Sequence, residues 1–422
     1  MRKPNAVILS QGCAANFGDG EKIARVLSSK YEVSFKFPES ETAEEPTAFF
    51  LNVCTVKGNA GAMKLLRKVA SAYPKASINI TGCAPRDFRE EASRAFPEIQ
   101  YTSLQELSTQ QFNPAETQTA CKNVLRESPF TGIVNIEEGC LDACAFCSTH
   151  LVKGRLHSFA EATIVNQVQS LVADGCKEIQ LTGQDCGCYG FDTGTNLAKL
   201  IQNILAHVPG DYKIRLGMGN PRHVLNYLDE LLECFQDERL YKFVHLPVQS
   251  GSKRILKAMN RRHTADDYLK LAQAFHEHFE NFTISTDMIV GFPGETDEDF
   301  EATMRLLKIS RPTVCNITRF VARPGTPAYS QNEISPVPDT LKHKRSAALA
   351  ESFQKIALEN NSKWIGYEGF VVTEKNGYRE GTTIARNEAY SPVALQGTYP
   401  AGQRLRVRIT GAEPFALIAE PI

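Results

Sequence analysis

Three short apolar runs open the chain: NAVILS at 5–10, TAFFLNVC at 47–54 and SINITGC at 77–83. Each ends at a polar or glycine-bearing turn, which reads as a buried strand. The segments between them change period. In DGEKIARVLSSK the apolar positions Ile23, Val26 and Leu27 fall on one helical face, and GAMKLLRKVASAY and DFREEASRAF are also helical. Strands alternating with helices predict an α/β fold, a doubly wound parallel sheet over residues 1–107. Residues 108–129 are polar and read as a linker. A second series follows, with strands expected at 133–137, 178–182, 213–217, 242–246, 283–289 and 314–320 and helical patterns between them, such as EATIVNQVQSLVADG and DDYLKLAQAFHEHF. Six β/α units in a row predict a partial (β/α)6 barrel with its site at the C-terminal strand ends. The long helical stretch TLKHKRSAALAESFQKIALENNSKWIG ends this domain, 130–364. Residues 365–422 show short alternating strands and Gly turns, a small all-β barrel.

Net charge is −1, so contact with nucleic acid has to come from local patches. No run approaches the ~18 apolar residues of a membrane span. The first apolar run stops at a polar turn and reads as a strand, not a secretion signal; a cytoplasmic location is expected. Twelve cysteines in a reducing compartment point to metal binding or redox chemistry.

Three of them, Cys140, Cys144 and Cys147 in EEGCLDACAFCSTH, directly follow the first barrel strand with Cys-x3-Cys-x2-Cys spacing. Zinc would need a fourth ligand, for which His150 is placed. Three thiolates alone suit a cube-shaped iron–sulfur cluster with one iron left open. Cys13, Cys54 and Cys83 each stand just past a strand of the first domain. Parallel strands end on one edge and neighbours lie about 4.8 Å apart, so these cysteines can converge on a second cluster. The alternative is three separate buried thiols.

The segment around Cys140–Cys147 resembles the radical S-adenosylmethionine (SAM) enzymes. With GRLHSF, LTGQDCGCYG, HLPVQSGS, ILKAMNRRHT, STDMIVGFPGETDEDFE and ARPGTPAY, nearly the whole chain resembles the methylthiotransferases among them. That resemblance implies two [4Fe–4S] clusters, one on Cys13, Cys54 and Cys83 and one on Cys140, Cys144 and Cys147, with SAM chelated at the open iron of the second. The resemblance also implies two uses of SAM: one molecule would donate a methyl group to sulfur at the first cluster. Another would be cleaved at the second, and the radical would take a hydrogen from C2 of an adenine. Phe146, Gln184, Asp185, Gln249 and Ser250 are the residues expected around SAM. Cys186 and Cys188 are expected to be bystanders.

The loop NVCTVKGNA and the run Lys153-Gly154-Arg155 are similar to the archaeal and eukaryotic group that acts on threonylcarbamoyladenosine at position 37 of tRNA. Other groups act on isopentenyl-adenosine in tRNA or on a ribosomal-protein aspartate. A non-catalytic, metal-bearing RNA-binding protein is the alternative outside the family. The threonylcarbamoyl group carries a carboxylate, for which Arg319 and Arg323 are candidate partners. The last domain resembles a TRAM domain. In QRLRVRIT, Arg404, Arg406 and Arg408 alternate with Leu405, Val407 and Ile409, which puts the arginines on one face where they can track phosphates. The module has six Lys/Arg and six Asp/Glu over 367–422, so it is not basic overall. A further basic run, 252–263, either seats the RNA stem or is a solvated helix face, and Tyr390 either stacks on a base or packs internally. The expected partners are the tRNA anticodon stem-loop and an electron donor such as flavodoxin or ferredoxin, with no membrane, and the chain is expected to be a monomer.

Overall fold

In the computed structural model, residues 3–38, 45–54, 59–103, 106, 125–377 and 379–422 are described. The chain divides into two compact units, Met1–Leu141 with Cys147–Gln184, and Asp142–Phe146 with Asp185–Ile422.

The first unit contains a five-stranded sheet of order β2-β1-β3-β4-β5: β1 (Asn5–Ser10), β2 (Glu32–Ser34), β3 (Ala48–Cys54), β4 (Ser77–Cys83) and β5 (Gln100–Tyr101). Every pairing is parallel. Both faces are covered, as a parallel sheet requires. Along β3, Phe49, Leu51 and Val53 pack with Leu66, Val69 and Phe88 from α2 (Ala60–Ala72) and α3 (Arg86–Ala95). Ala48 and Phe50 pack oppositely, with Ile23, Ala24 and Leu27 of α1 (Ala14–Leu27). The edge strands β2 and β5, short and only partly buried, add to the three expected strands.

Helix α1 starts at Ala14, well before the apolar periodicity that marked it in the sequence. Its first turns bury Asn16, Gly18, Asp19, Gly20 and Glu21 rather than hydrophobes. They do so against β6 (Thr131–Asn135), which pairs in parallel with a later strand, Glu178–Thr182. A Cβ on Gly18 would lie 2.6 Å from Asn135 Oδ1 and 2.8 Å from Ile133 Cγ2, so glycine permits the approach. Asn135 Nδ2 donates to Asp19 Oδ1 at 2.8 Å, and Lys153 Nζ bonds Asp19 Oδ2 at 2.8 Å. A hairpin, β7 (Glu137–Glu138) with β8 (His157–Ser158), brackets the cysteine segment in sequence; Glu178–Thr182 is β9.

In the second unit, β10 (Lys213–Leu216) precedes a parallel sheet of β11 (Phe243–His245), β12 (Thr283–Val290) and β13 (Val314–Arg319). All six strands expected for the barrel domain are therefore present. The helix Asp339–Ser362 leads into a closed barrel of order β14-β15-β16-β18-β17, formed by β14 (Glu368–Asn376), β15 (Thr382–Arg386), β16 (Pro392–Gln396), β17 (Arg404–Glu413) and β18 (Ala416–Pro421). Trp364, Val371, Val393, Leu395, Val407, Ile409 and Leu417 fill its core. The architecture is α/β: an N-terminal parallel sheet, a middle region of parallel strands and helices, and a closed five-stranded barrel.

Candidate functional site

The first cysteine trio is assembled by strand ends. Cys13 is the N-cap of α1, one residue after the turn at Gly12, whose φ is +105°. A Cβ at Gly12 would stand 2.6 Å from Cys54 Sγ, so glycine there lets the Cys13 turn close onto the end of β3. Cys54 and Cys83 face each other in register across β3 and β4. Buried asparagines hold the ends of β1 and β3 and the start of α1 together. Asn16 Nδ2 donates to Gln11 O at 2.6 Å and Asn52 O at 3.0 Å, and Asn52 Nδ2 donates to Ser10 Oγ at 3.1 Å.

Cys13 is exposed, Cys54 half-buried and Cys83 buried. Burial pushes the Cys83 thiol up to about 12, helped by Cys54 and Cys13 and opposed by Lys153. Such a thiol ionises when a cation replaces the lost hydration. Among the described residues, only Asp185, Cys188 and His223 form a set of three donors lying within 4.8 Å of one another. Three thiols and, among the described residues, no other donor at these strand ends suit an iron–sulfur cube by the chemistry of the donor set.

Around the second trio, Cys140 donates its N–H to Gly154 O at 3.2 Å and forms a bridge with Arg155. Gln184 Oε1 accepts from Gly139 N at 2.7 Å, which fixes the turn just before Cys140. Cys147 is half-buried in the same unit. The segment 142–146 is anchored within the second unit. Ala145 N donates to Met259 O and Ala328 N to Ala145 O, both at 2.9 Å, and Phe146 packs on the cluster of Ile255, Met259, Phe292 and Ala328. Asp142 accepts from Asn220 Nδ2 at 2.6 Å and His223 Nε2 at 3.0 Å, and pairs with Arg222. Burial alone would raise its carboxyl, but His223, Arg222 and Arg261 together hold it below the usual range.

Asp185, 2% exposed, accepts from Gly187 N at 3.1 Å and Asn220 N at 2.9 Å. Burial raises its carboxyl, and His223 is the largest opposing influence. Ser250 is buried, with Oγ 3.2 Å from Thr303 Oγ1 and accepting from Ser252 N at 3.1 Å. Gln249 has φ +73° and exchanges backbone hydrogen bonds with Asp287 and Ile289. Asp185 and Ser250 thus shape the turns after the second and fourth barrel strands. Arg319 is exposed beside His343, whereas Arg323 is buried, its carbonyl accepting from Thr326 N at 3.1 Å.

Arg404, Arg406 and Arg408 do share the outer face of β17, and Val407 and Ile409 point into the barrel. Arg406 and Arg408 pair with Glu368 at 3.2 and 2.7 Å, and Arg404 lies 4.2 Å from the centre of the Phe370 ring. Tyr390 packs against Tyr241 and Phe243, with ring centroids at 4.8 and 5.2 Å. The run 252–263 splits: Lys253, Arg254, Lys257 and Arg262 are exposed, and Arg261 is buried. The Thr-Val-Lys of NVCTVKGNA, at 55–57, lies outside the described residues. Asp142, His223 and Arg261 were not singled out from the sequence. Their only signal there was position beside or within the motifs, and their partners are far along the chain.

Comparison with known proteins adds two family models. One described as the radical SAM superfamily matches residues 134–307, and one described as uncharacterized protein family UPF0004 matches residues 5–103. A relative from Archaeoglobus fulgidus, "Probable threonylcarbamoyladenosine tRNA methylthiotransferase", is 35% identical over 95% of each chain. The Homo sapiens "Threonylcarbamoyladenosine tRNA methylthiotransferase" is 30% identical over 92% of this chain and 69% of its own. Among solved structures, the radical S-adenosylmethionine methyltransferase TsrM of Kitasatospora setae aligns with a TM-score of 0.54 at 14% identity, covering 78% of this chain and 77% of that one, a likeness of fold. By relatedness along nearly its whole length, the chain belongs to the threonylcarbamoyladenosine tRNA methylthiotransferase family of radical SAM proteins.

Proposed function

We propose that this protein places a methylthio group on C2 of N6-threonylcarbamoyladenosine at position 37 of tRNA. The observation that carries the reading is the first thiol trio: Cys13, Cys54 and Cys83 at the ends of adjacent chain segments in one sheet, in a protein that also has Cys-x3-Cys-x2-Cys. The names of the full-length relatives support the choice of substrate.

Cys13, Cys54 and Cys83 hold one [4Fe–4S] cluster, and Cys140, Cys144 and Cys147 hold the other. When bound, the clusters supply a low-potential electron for cleaving SAM and an open iron for presenting sulfur. The protein's own residues do the rest. Asn16 and Asn52 keep the first set of chain ends at fixed spacing. Gln184 orients the turn into Cys140, and Asp142 ties the segment before Cys144 to Asn220 and His223. Phe146, Asp185, Gln249 and Ser250 shape the surroundings in which SAM binds. Arg319 and Arg323 are the cations offered to the threonyl carboxylate, and Arg404, Arg406 and Arg408 meet the anticodon stem-loop. Domain limits of 1–107, 130–364 and 365–422, a flavodoxin- or ferredoxin-type donor, a monomer and a cytoplasmic setting complete the proposal.

Mass spectrometry of nucleosides tests it. Anticodon stem-loops bearing either threonylcarbamoyladenosine or isopentenyl-adenosine are incubated anaerobically with the reconstituted protein, SAM and dithionite. The first should acquire a methylthio group and the second should stay unchanged. Modification of the second alone would overturn the substrate, and modification of neither would overturn the activity.

A further inference from the structure

Arg261 is the inward-facing member of a basic run whose helical cations face solvent. It is 8% exposed. Its Nη2 donates to Pro247 O at 2.6 Å, which fixes the guanidinium plane, and its Nη1 lies 3.5 Å from Cys144 Sγ in hydrogen-bond geometry. The residues beside it grip the same loop. Asn260, with φ +56°, donates through Nδ2 to Ala143 O at 2.7 Å, and Met259 O accepts from Ala145 N at 2.9 Å. Among the described residues no carboxylate comes within ion-pair distance of Arg261; Asp142, Asp185 and Asp287 act on it only through their fields. A buried guanidinium with no carboxylate at ion-pair distance and one Nη aimed at sulfur is poorly matched to a neutral thiol, a weak acceptor. It is well matched to an anionic one, through a charge-assisted hydrogen bond.

We propose that Arg261 is a positioning residue that donates a hydrogen bond to the ligand sulfur of Cys144 and raises the reduction potential of the cluster held there. This rests on the reading of Cys140, Cys144 and Cys147 as cluster ligands. The reasoning is electrostatic. Reduction adds one negative charge to a cluster that is already anionic, so a fixed donor and a fixed cation at a ligand sulfur stabilise the reduced form more than the oxidised one. Arg261 neither gives nor takes an electron, and its charge is the same in both states.

The test is a potentiometric titration followed by electron paramagnetic resonance, on full-length reconstituted protein. It is repeated with Cys13, Cys54 and Cys83 changed to Ala, so that one cluster gives the signal. Arg261→Gln should lower the ratio of reduced to oxidised cluster at a fixed potential roughly tenfold, the size of one charge-assisted bond, equal to about 59 mV for one electron. Arg261→Lys should recover part of the shift. Unchanged midpoints in both variants overturn the proposal. Loss of iron from both, with an unchanged near-ultraviolet circular dichroism spectrum, also overturns it, because Arg261 would then only hold the loop. A parent protein that binds no four-iron cluster without Cys13, Cys54 and Cys83 would instead bring down the reading of the second trio itself.

Discussion

Lys153 places its ammonium beside a carboxylate that α1 buries. Burial alone would lower its pKa, but Asp19 and then Glu138 hold it well above the ordinary range. The partners lie at 2.8 and 3.0 Å. Lys153→Met should leave the buried Asp19 with only Lys22, 3.3 Å away, and the Asn135 amide as partners, at a cost of about 1–3 kcal/mol. Urea unfolding would show it as a lowered midpoint, and adding Asp19→Asn should restore a large part, since the two residues are coupled. His263 gives the corresponding pH prediction. It is 3% exposed, and burial and then Arg261 push its pKa down to about 4. Between pH 6.5 and 4 the unfolded chain takes up a proton that the native ring refuses. Stability is therefore full above pH 6.5 and is lost as pH falls through that window, by roughly 3 kcal/mol. His263→Asn should show a shallower decline in urea midpoint from pH 7 to pH 4.5 than the parent. Equal declines would mean that the native ring titrates normally. Neither residue announced itself in the sequence. Lys153 read as part of a motif and His263 as part of a basic run, because their settings depend on residues up to 134 positions away.

The C-terminal barrel shows how far a local pattern reaches at the scale of an element. Period two put Arg404, Arg406 and Arg408 on one face, and β17 places them there, since alternation is a property of a single strand. The pattern could not show that Glu368 of β14 falls opposite Arg408, because register between strands belongs to the fold. Glu368 pairs with both Arg406 and Arg408, whereas Arg404 has only the exposed Asp211 at 4.0 Å, which leaves it the least neutralised of the three. The expectation for RNA is therefore graded. Arg404→Ala should lower the slope of log affinity against log salt by about 1. Arg408→Ala should lower it less, and Glu368→Gln should tighten binding. Filter binding of tRNA from about 50 to 200 mM salt measures all three. Equal slopes for the parent and Arg404→Ala would take this strand face out of the RNA contact. Helix α1 marks the opposite limit. Its last turns were legible from Ile23, Val26 and Leu27, but its start was not. The first turns bury glycines and hydrogen-bonded polar groups, which carry no apolar period.

For the whole molecule, the order of the sheet, the middle region and the small barrel was legible from the alternation of strand and helix, and so were the positions of Cys13, Cys54 and Cys83 just past strands and the close spacing of Cys140, Cys144 and Cys147, because all are visible in one dimension. The supporting asparagines, aspartates and Arg261 were not, since each acts across a long sequence separation. Two centres with separate thiols make a separable prediction about the loaded protein. The parent should bind about eight irons and eight sulfides per chain, and Cys54→Ala or Cys147→Ala about four of each. The two variants should then part in chemistry. On the proposed function, Cys147→Ala damages the site that would hold SAM, so both SAM cleavage and the methylthio product should fall at least a hundredfold. On the same proposal, Cys54→Ala breaks the set of thiols that would present sulfur while Cys140, Cys144, Cys147 and Arg261 are untouched. Cleavage of SAM should continue within about twofold of the parent while methylthio product disappears. Anaerobic assays that follow 5′-deoxyadenosine and the modified nucleoside in the same sample read both quantities. A matching loss of cleavage in Cys54→Ala would assign the first centre to electron delivery, and the sulfur-presenting role of Cys13, Cys54 and Cys83 would have to be abandoned.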